Sequence, residues 1–132
     1  MKILIVEDDF INRLVLQKLL SSYGQCDIAV NGKEAITAFS YALEEGSYYD
    51  LICLDIMMPE MDGRDALRII REKEREKSIP PNKEAKIIMT TALDTPKEVV
   101  DAFYQGGCTS YLVKPIERRK LLGLLKDYGL IQ

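Results

Sequence analysis

The 132-residue chain contains no histidine and no tryptophan. Without an imidazole, histidine-based triads, zincin-type metal sites and imidazole proton shuttles are excluded. Cysteine is scarce. Cys26, Cys53 and Cys108 are an odd number with no C-x-x-C pair, so reduced thiols in a cytosolic setting are the natural reading. Cys53 lies in an apolar run, and all three read as buried filler rather than reactive groups. Long hydrophobic runs are missing too. The apolar start at residues 3–6 meets acid at Glu7, unlike a signal peptide, and nowhere do about 18 apolar residues run together to enter a membrane. Excess charge of one sign is also absent. Eighteen basic against 21 acidic residues give −3, too acidic for direct nucleic-acid binding through charge alone.

The composition that remains, 47% apolar and 30% charged, excludes a disordered chain and fits one domain over residues 1–132. Short apolar runs at 2–6, 26–30, 51–54, 86–90 and 110–113 read as strands. Between them apolar residues recur at helical spacing. Ile11, Leu14, Val15 and Leu19 form one face, and Ala35, Ile36, Phe39 and Leu43 follow the Asn31-Gly32 turn. A third helix opens at Asp62-Gly63 with Ala66, Leu67 and Ile70, and a fourth near Pro96 with Val99, Val100 and Phe103. A fifth carries Leu121, Leu122, Leu124 and Leu125. Strands separated by helices pair in parallel through right-handed crossovers, so the expected class is α/β, a doubly wound five-stranded sheet with helices on both faces.

Two segments fit less tightly. Residues 71–77 (REKEREK) alternate in charge, with opposite i,i+3 pairs and like i,i+4 pairs that largely cancel. They read as a solvated, fraying helix end, with a docking role as the alternative. Residues 78–84, with Pro80 and Pro81, read as an exposed loop.

Ligands of a doubly wound sheet sit outside the carboxyl ends of its strands. The first strand ends on Glu7, Asp8 and Asp9, the third on Asp55, the fourth on Thr90 and Thr91, and the fifth on Lys114. Singly, each has a bland explanation: Asp8 or Asp9 could cap a helix, Thr91 could be a strand residue, Lys114 a loop lysine. Asp55 is harder to dismiss, because an acid ending an apolar strand caps no helix immediately. Carboxylates about 4 Å apart repel by about 4 kcal/mol at an effective dielectric of 20, so Glu7, Asp8 and Asp55 together require a cation. Oxygen ligands without histidine or thiolate favour Mg²⁺. A carboxylate nucleophile, a divalent cation, an ammonium and a hydroxyl make up a phosphoryl-transfer site.

These residues resemble a known family. The run from Ile3 to Asp9 (ILIVEDD), the run from Asp55 to Gly63 (DIMMPEMDG), Thr91-Ala92 and the run from Tyr111 to Pro115 (YLVKP) are similar, in order and spacing, to the receiver domain of two-component response regulators. The resemblance implies a flavodoxin-like strand order 2-1-3-4-5. It implies Asp55 as phosphoacceptor, Mg²⁺ held by Asp8, Asp55 and the Met57 backbone carbonyl with Glu7 acting through water, and Thr91 and Lys114 on the phosphoryl oxygens. Tyr111 matches the family's switch aromatic, and the Lys114–Pro115 bond is implied to be cis. Met57 and Leu93, both apolar, stand two residues after the phosphoacceptor and the threonine. From there they would control water access to a phosphorylated Asp55.

Only seventeen residues follow Pro115, and the expectation is a stand-alone cytoplasmic receiver rather than an enzyme. Its phosphodonor would be a histidine kinase or phosphotransfer protein, and its output would come from an unknown protein partner. The alternatives are a phosphorylation-independent scaffold and an aspartyl-phosphate phosphohydrolase. The latter needs an acid two residues after the nucleophile, where this chain has Met57.

Overall fold

The structure is a computed structural model describing residues 1–58 and 61–132; Pro59 and Glu60 of the DIMMPEMDG run lie outside the described residues. Five strands, β1 (Lys2–Val6), β2 (Gln25–Ala29), β3 (Leu51–Asp55), β4 (Lys86–Thr91) and β5 (Ser110–Val113), alternate with five helices. The helices are α1 (Phe10–Leu20), α2 (Gly32–Glu45), α3 (Gly63–Glu76), α4 (Lys97–Gln105) and α5 (Arg118–Asp127). All strand pairs are parallel, in the order β2-β1-β3-β4-β5. The expected class and strand order are both present.

The pleat divides the core in two. Leu4, Val6, Ile52, Leu54, Ile87 and Met89 face Phe39, Leu67, Ile70 and Phe103 on the α2–α4 side. Ile3, Ile5, Leu51, Cys53, Ile88 and Leu112 face Leu16, Leu20, Leu121 and Leu125 on the α1–α5 side. Every residue of β3 is buried, as a central strand covered on both faces must be. The buried thiols of Cys53 and Cys108 are pushed up to about 12 and about 11, chiefly by burial, which suits filler.

Strand boundaries shift by a residue for visible reasons. β2 begins at Gln25, which pairs with Lys2, and it stops before Val30. Asn31 caps α2 by accepting from the Glu34 N–H at 2.8 Å, while Glu34 reaches back to accept from the Val30 N–H at 2.9 Å. This reciprocal cap takes Val30 out of the ladder. Gly46, at φ +70°, ends α2 in the left-handed conformation.

Residues 71–77 correct the sequence reading. α3 runs to Glu76, and Arg71 and Glu74 are buried rather than solvated. Arg71 Nη1 donates to Glu74 Oε1 at 2.6 Å, and Arg71 Nε donates to the Gly107 carbonyl at 2.9 Å. Glu74 Oε2 accepts from the Ala85 N–H at 2.8 Å. The inward stripe of α3 is Ala66, Leu67, Ile70, then Arg71 and Glu74, so the helix face stays buried where its residues become charged. Pairing plus backbone bonds satisfy both charges there. Gly107, at φ +101°, leaves room for this contact, since a Cβ there would sit 3.3 Å from Arg71 Cγ.

Candidate functional site

The parallel order brings the carboxyl ends of β1, β3, β4 and β5 to one edge, and the residues following each strand meet there. Glu7 leaves β1 fully buried, its N–H donating to the Ala29 carbonyl at 3.0 Å. Its Oε2 accepts from the Asp9 N–H at 3.1 Å, and its Oε1 lies 2.8 Å from Lys114 Nζ. The same ammonium is 3.3 Å from Asp55 Oδ2, while Asp55 Oδ1 accepts from the Met57 N–H at 3.3 Å. Asp8 is exposed beside them, and one oxygen each from Glu7, Asp8 and Asp55 lies within 4.8 Å of the others.

The question of which acid caps α1 has a clear answer. Asp9 accepts from the Asn12 N–H at 2.9 Å, which leaves the Asp8 carboxylate out of the cap. Arg13, one turn later, donates to the Glu7 carbonyl at 3.1 Å and secures the strand end. Sequence reasoning missed Arg13; its only signal was the i+4 spacing from Asp9. It also gave no reason for the glycine at position 63. Asp62 caps α3 by accepting from the Asp65 N–H at 3.1 Å, and Gly63 then passes so close to Asp55 that a Cβ would meet the Asp55 carbonyl oxygen at 2.5 Å. The Asp-Gly step thus lets α3 start directly against the strand end that carries Asp55.

The electrostatics follow from this packing. Burial pushes the Asp55 carboxyl from 3.8 up to about 7; Glu7 adds to the rise as hydrogen-bond partner and as a like charge, while Lys114 and the Met57 N–H pull downward. Burial disfavours the Lys114 ammonium, but Glu7 and Asp55 outweigh that and its pKa is raised. One ammonium faces three carboxylates. Glu7 Oε1 is buried, and the Lys114 ammonium it contacts at 2.8 Å is shared with Asp55. Clustered hard oxygen donors with surplus negative charge fit a divalent cation of the Mg²⁺ kind.

Thr91 ends β4 beside this cluster. It is buried, and its carbonyl accepts from the Lys114 N–H at 2.7 Å just before the cis Lys114–Pro115 bond. Tyr111 stands apart. It is exposed, edge-on to Tyr104 with ring centroids 6.0 Å apart, and it lines with Thr91 a cavity of about 420 Å³ between β5 and α4. Met57 and Leu93 project into solvent, 75% and 87% exposed. Next to the acidic cluster, Phe10 and Ile11 at the start of α1 are 61% and 62% exposed.

A sequence model of the response regulator receiver domain matches residues 3–126. Hybrid signal transduction histidine kinase L of Dictyostelium discoideum is 36% identical over 129 residues, 97% of this chain but 7% of the kinase, so the chain spans a small part of that relative. Two solved structures superpose with a TM-score of 0.81 each. One is the receiver domain of the response regulator Ssk1 of Saccharomyces cerevisiae in complex with the histidine phosphotransfer protein Ypd1 (27% identity, covering 98% of this chain and 88% of that one). The other is the receiver domain of the histidine kinase CKI1 of Arabidopsis thaliana with Mg²⁺ and BeF₃⁻ (28% identity, covering 96% and 88%).

Proposed function

We propose that this chain, which belongs to the response regulator receiver domain family, accepts a phosphoryl group on Asp55 and uses it to switch a protein-binding surface. The observation that carries this reading is the cluster itself. Asp55 sits 3.3 Å from Lys114 Nζ, with Glu7 and Asp8 oxygens within 4.8 Å, at the edge where four strands end.

In the proposed step an Asp55 carboxylate oxygen bonds to phosphorus as the phosphorus–nitrogen bond of a donor phosphohistidine breaks. The electron pair stays on the donor imidazole, which takes up a proton. Lys114, already held by Glu7, balances charge developing on the phosphoryl oxygens, and Thr91 holds another of them. Asp8, Asp55 and the Met57 carbonyl would hold Mg²⁺, with Glu7 acting through water; when bound, the ion neutralises the crowded carboxylates and the incoming phosphoryl charge. Glu7 therefore has two tasks, because the same carboxylate anchors Lys114.

The donor is a histidine kinase or phosphotransfer protein, as the Ssk1 receiver's complex with Ypd1 suggests by analogy. The exposed Phe10 and Ile11 beside the cluster offer it an apolar foothold. After transfer, Thr91 is drawn towards the phosphoryl group and the outward Tyr111 ring moves into the cavity they share, changing the surface that α4, β5 and α5 present. We place the protein in the cytoplasm as a single receiver domain, residues 1–132, whose output runs through a partner protein. Among the described residues no helix is long and apolar enough to cross a membrane. Incubation with a phosphohistidine donor and Mg²⁺ should add one phosphoryl group that is hydroxylamine-labile, and Asp55→Asn should abolish it. Wild-type labelling of Asp55→Asn would overturn the assignment.

A further inference from the structure

Seven arginines occur in this chain, and four of them lie on one face of α3. Arg64, Arg68, Arg71 and Arg75 are spaced i, i+4, i+7 and i+11, a stripe about 16 Å long at 1.5 Å per residue. They line a cleft of about 390 Å³ whose other wall is the end of α4, Ala102, Gln105 and Gly106. Among the described residues the lining contains no acidic residue and none of the chain's eleven lysines. In a protein of net charge −3, this is a concentrated positive surface.

The fold does not account for this concentration. Only Arg71 is structural, anchored through Nε to the Gly107 carbonyl and through Nη1 to Glu74. These two bonds fix its guanidinium at the cleft wall. Arg68 makes an exposed pair with Glu72 at 3.2 Å. Arg64 lies over the Phe103 ring, 5.9 Å from its centroid, and neither Arg64 nor Arg75 has a carboxylate within 4 Å among the described residues. Lys73 of the same helix and Lys77, its C-cap, line a different groove facing α2. Selection of arginine over lysine points to planar, two-pronged recognition of oxyanions.

We propose that the α3–α4 cleft is a docking site for an acidic segment of a partner protein, its carboxylates held by Arg64, Arg68 and Arg75 around the fixed Arg71. The stripe repeats at about 4.5–6 Å, close to the roughly 6.6 Å between alternate side chains of an extended peptide. Nucleic acid is the weaker match. The nearby aromatic ring, Phe103, is buried and covered by Arg64, so the cleft offers no platform for stacking bases. None of the residues lining the cleft belongs to the Asp55 cluster.

The test uses the full chain and a fluorescein-labelled peptide of alternating Glu and Ser, followed by anisotropy at low and physiological salt. Binding should weaken with salt, and Arg64→Ala with Arg75→Ala should reduce affinity about tenfold. Lys73→Ala with Lys77→Ala, an equal loss of charge on the same helix, should leave affinity within about twofold. Amide shifts on peptide addition should map to α3 and the end of α4. Absence of binding, equal losses in the two double variants, or shifts mapping elsewhere would overturn the proposal. Tighter binding of oligo-dT than of the peptide would do so too, by making nucleic-acid phosphate the occupant.

Discussion

Raising the pH of the metal-free protein should destabilise it, and Asp55→Asn should remove that dependence. The Asp55 carboxyl titrates at about 7 in the folded chain because it is buried beside Glu7, and near 3.8 once unfolding returns it to water. The folded state therefore binds this proton more tightly. The stabilisation is complete below about pH 4 and is lost as pH rises through about 7. The displacement corresponds to at most about 4 kcal/mol, and screening by the solvent that reaches the site reduces the expected effect to nearer about 2 kcal/mol. For a chain of this size that lowers Tm by roughly 6–10 °C between about pH 4 and pH 8. Mg²⁺ should reverse the loss, since it competes with the same proton; at 100 times its Kd it contributes about 2.7 kcal/mol, most fully at the alkaline end. Urea or thermal melts of wild type and Asp55→Asn across this range, with chelator and with Mg²⁺, read the effect as the difference between the two proteins. A difference that stays constant from about pH 5 to pH 8 in chelator would refute the reasoning, because titrating groups remote from Asp55 cancel in the subtraction.

Three further outcomes follow from the packing. Glu74→Ala should cost about 3–5 kcal/mol in urea unfolding, because it leaves the buried Arg71 guanidinium and the Ala85 N–H without their acceptor; a loss below about 1 kcal/mol would show the pair to be idle. Asp8→Asn should weaken the Mg²⁺-induced rise in Tm while leaving the metal-free Tm equal or slightly higher, since Asp8 caps no helix and only adds to the crowding of charge. Met57→Asn with Leu93→Glu should shorten the phosphoprotein lifetime about tenfold in a donor-removal decay assay, the effect of about 1.4 kcal/mol from better placement of one water. Both native side chains stand in solvent beside the approach and offer that water no hydrogen bond; an unchanged or longer lifetime would show that they do not govern its access.

Much of the fold was legible because its signals are local and repetitive. Helical spacing located all five helices. The Asn31-Gly32 and Asp62-Gly63 steps announced two helix starts, and both acid or amide side chains do cap. Five apolar runs separated by helices left parallel pairing as the only short-loop solution, and the strand order came with the family resemblance rather than from the runs themselves. Boundaries were less legible. Val30 is as apolar as the rest of its strand, and it leaves the ladder because of a carboxylate four residues later, a contact that no window of hydropathy contains.

The site divides along the same line. Residue types at strand ends could show that Glu7, Asp8, Asp55, Thr91 and Lys114 share an edge, because topology alone places them there. They could not show that Glu7 is buried and paired with Lys114, which makes one carboxylate both a candidate ion ligand and the anchor of the ammonium. Nor could a charge count separate the two fates of the arginines on α3. Arg71 and Arg75 look identical in an alternating run, yet one turn of helix puts the first under Gly107 and leaves the second on the rim of an arginine-lined cleft. Alternation averages to nothing only if every charge meets the same solvent. Here three carboxylates crowd one strand edge and four arginines line one groove, so a net charge of −3 conceals two opposite fields on one small domain. The first field supplies the demand for a cation that phosphoryl transfer requires. The second is the kind of surface that selects an acidic partner, and the two share no residue.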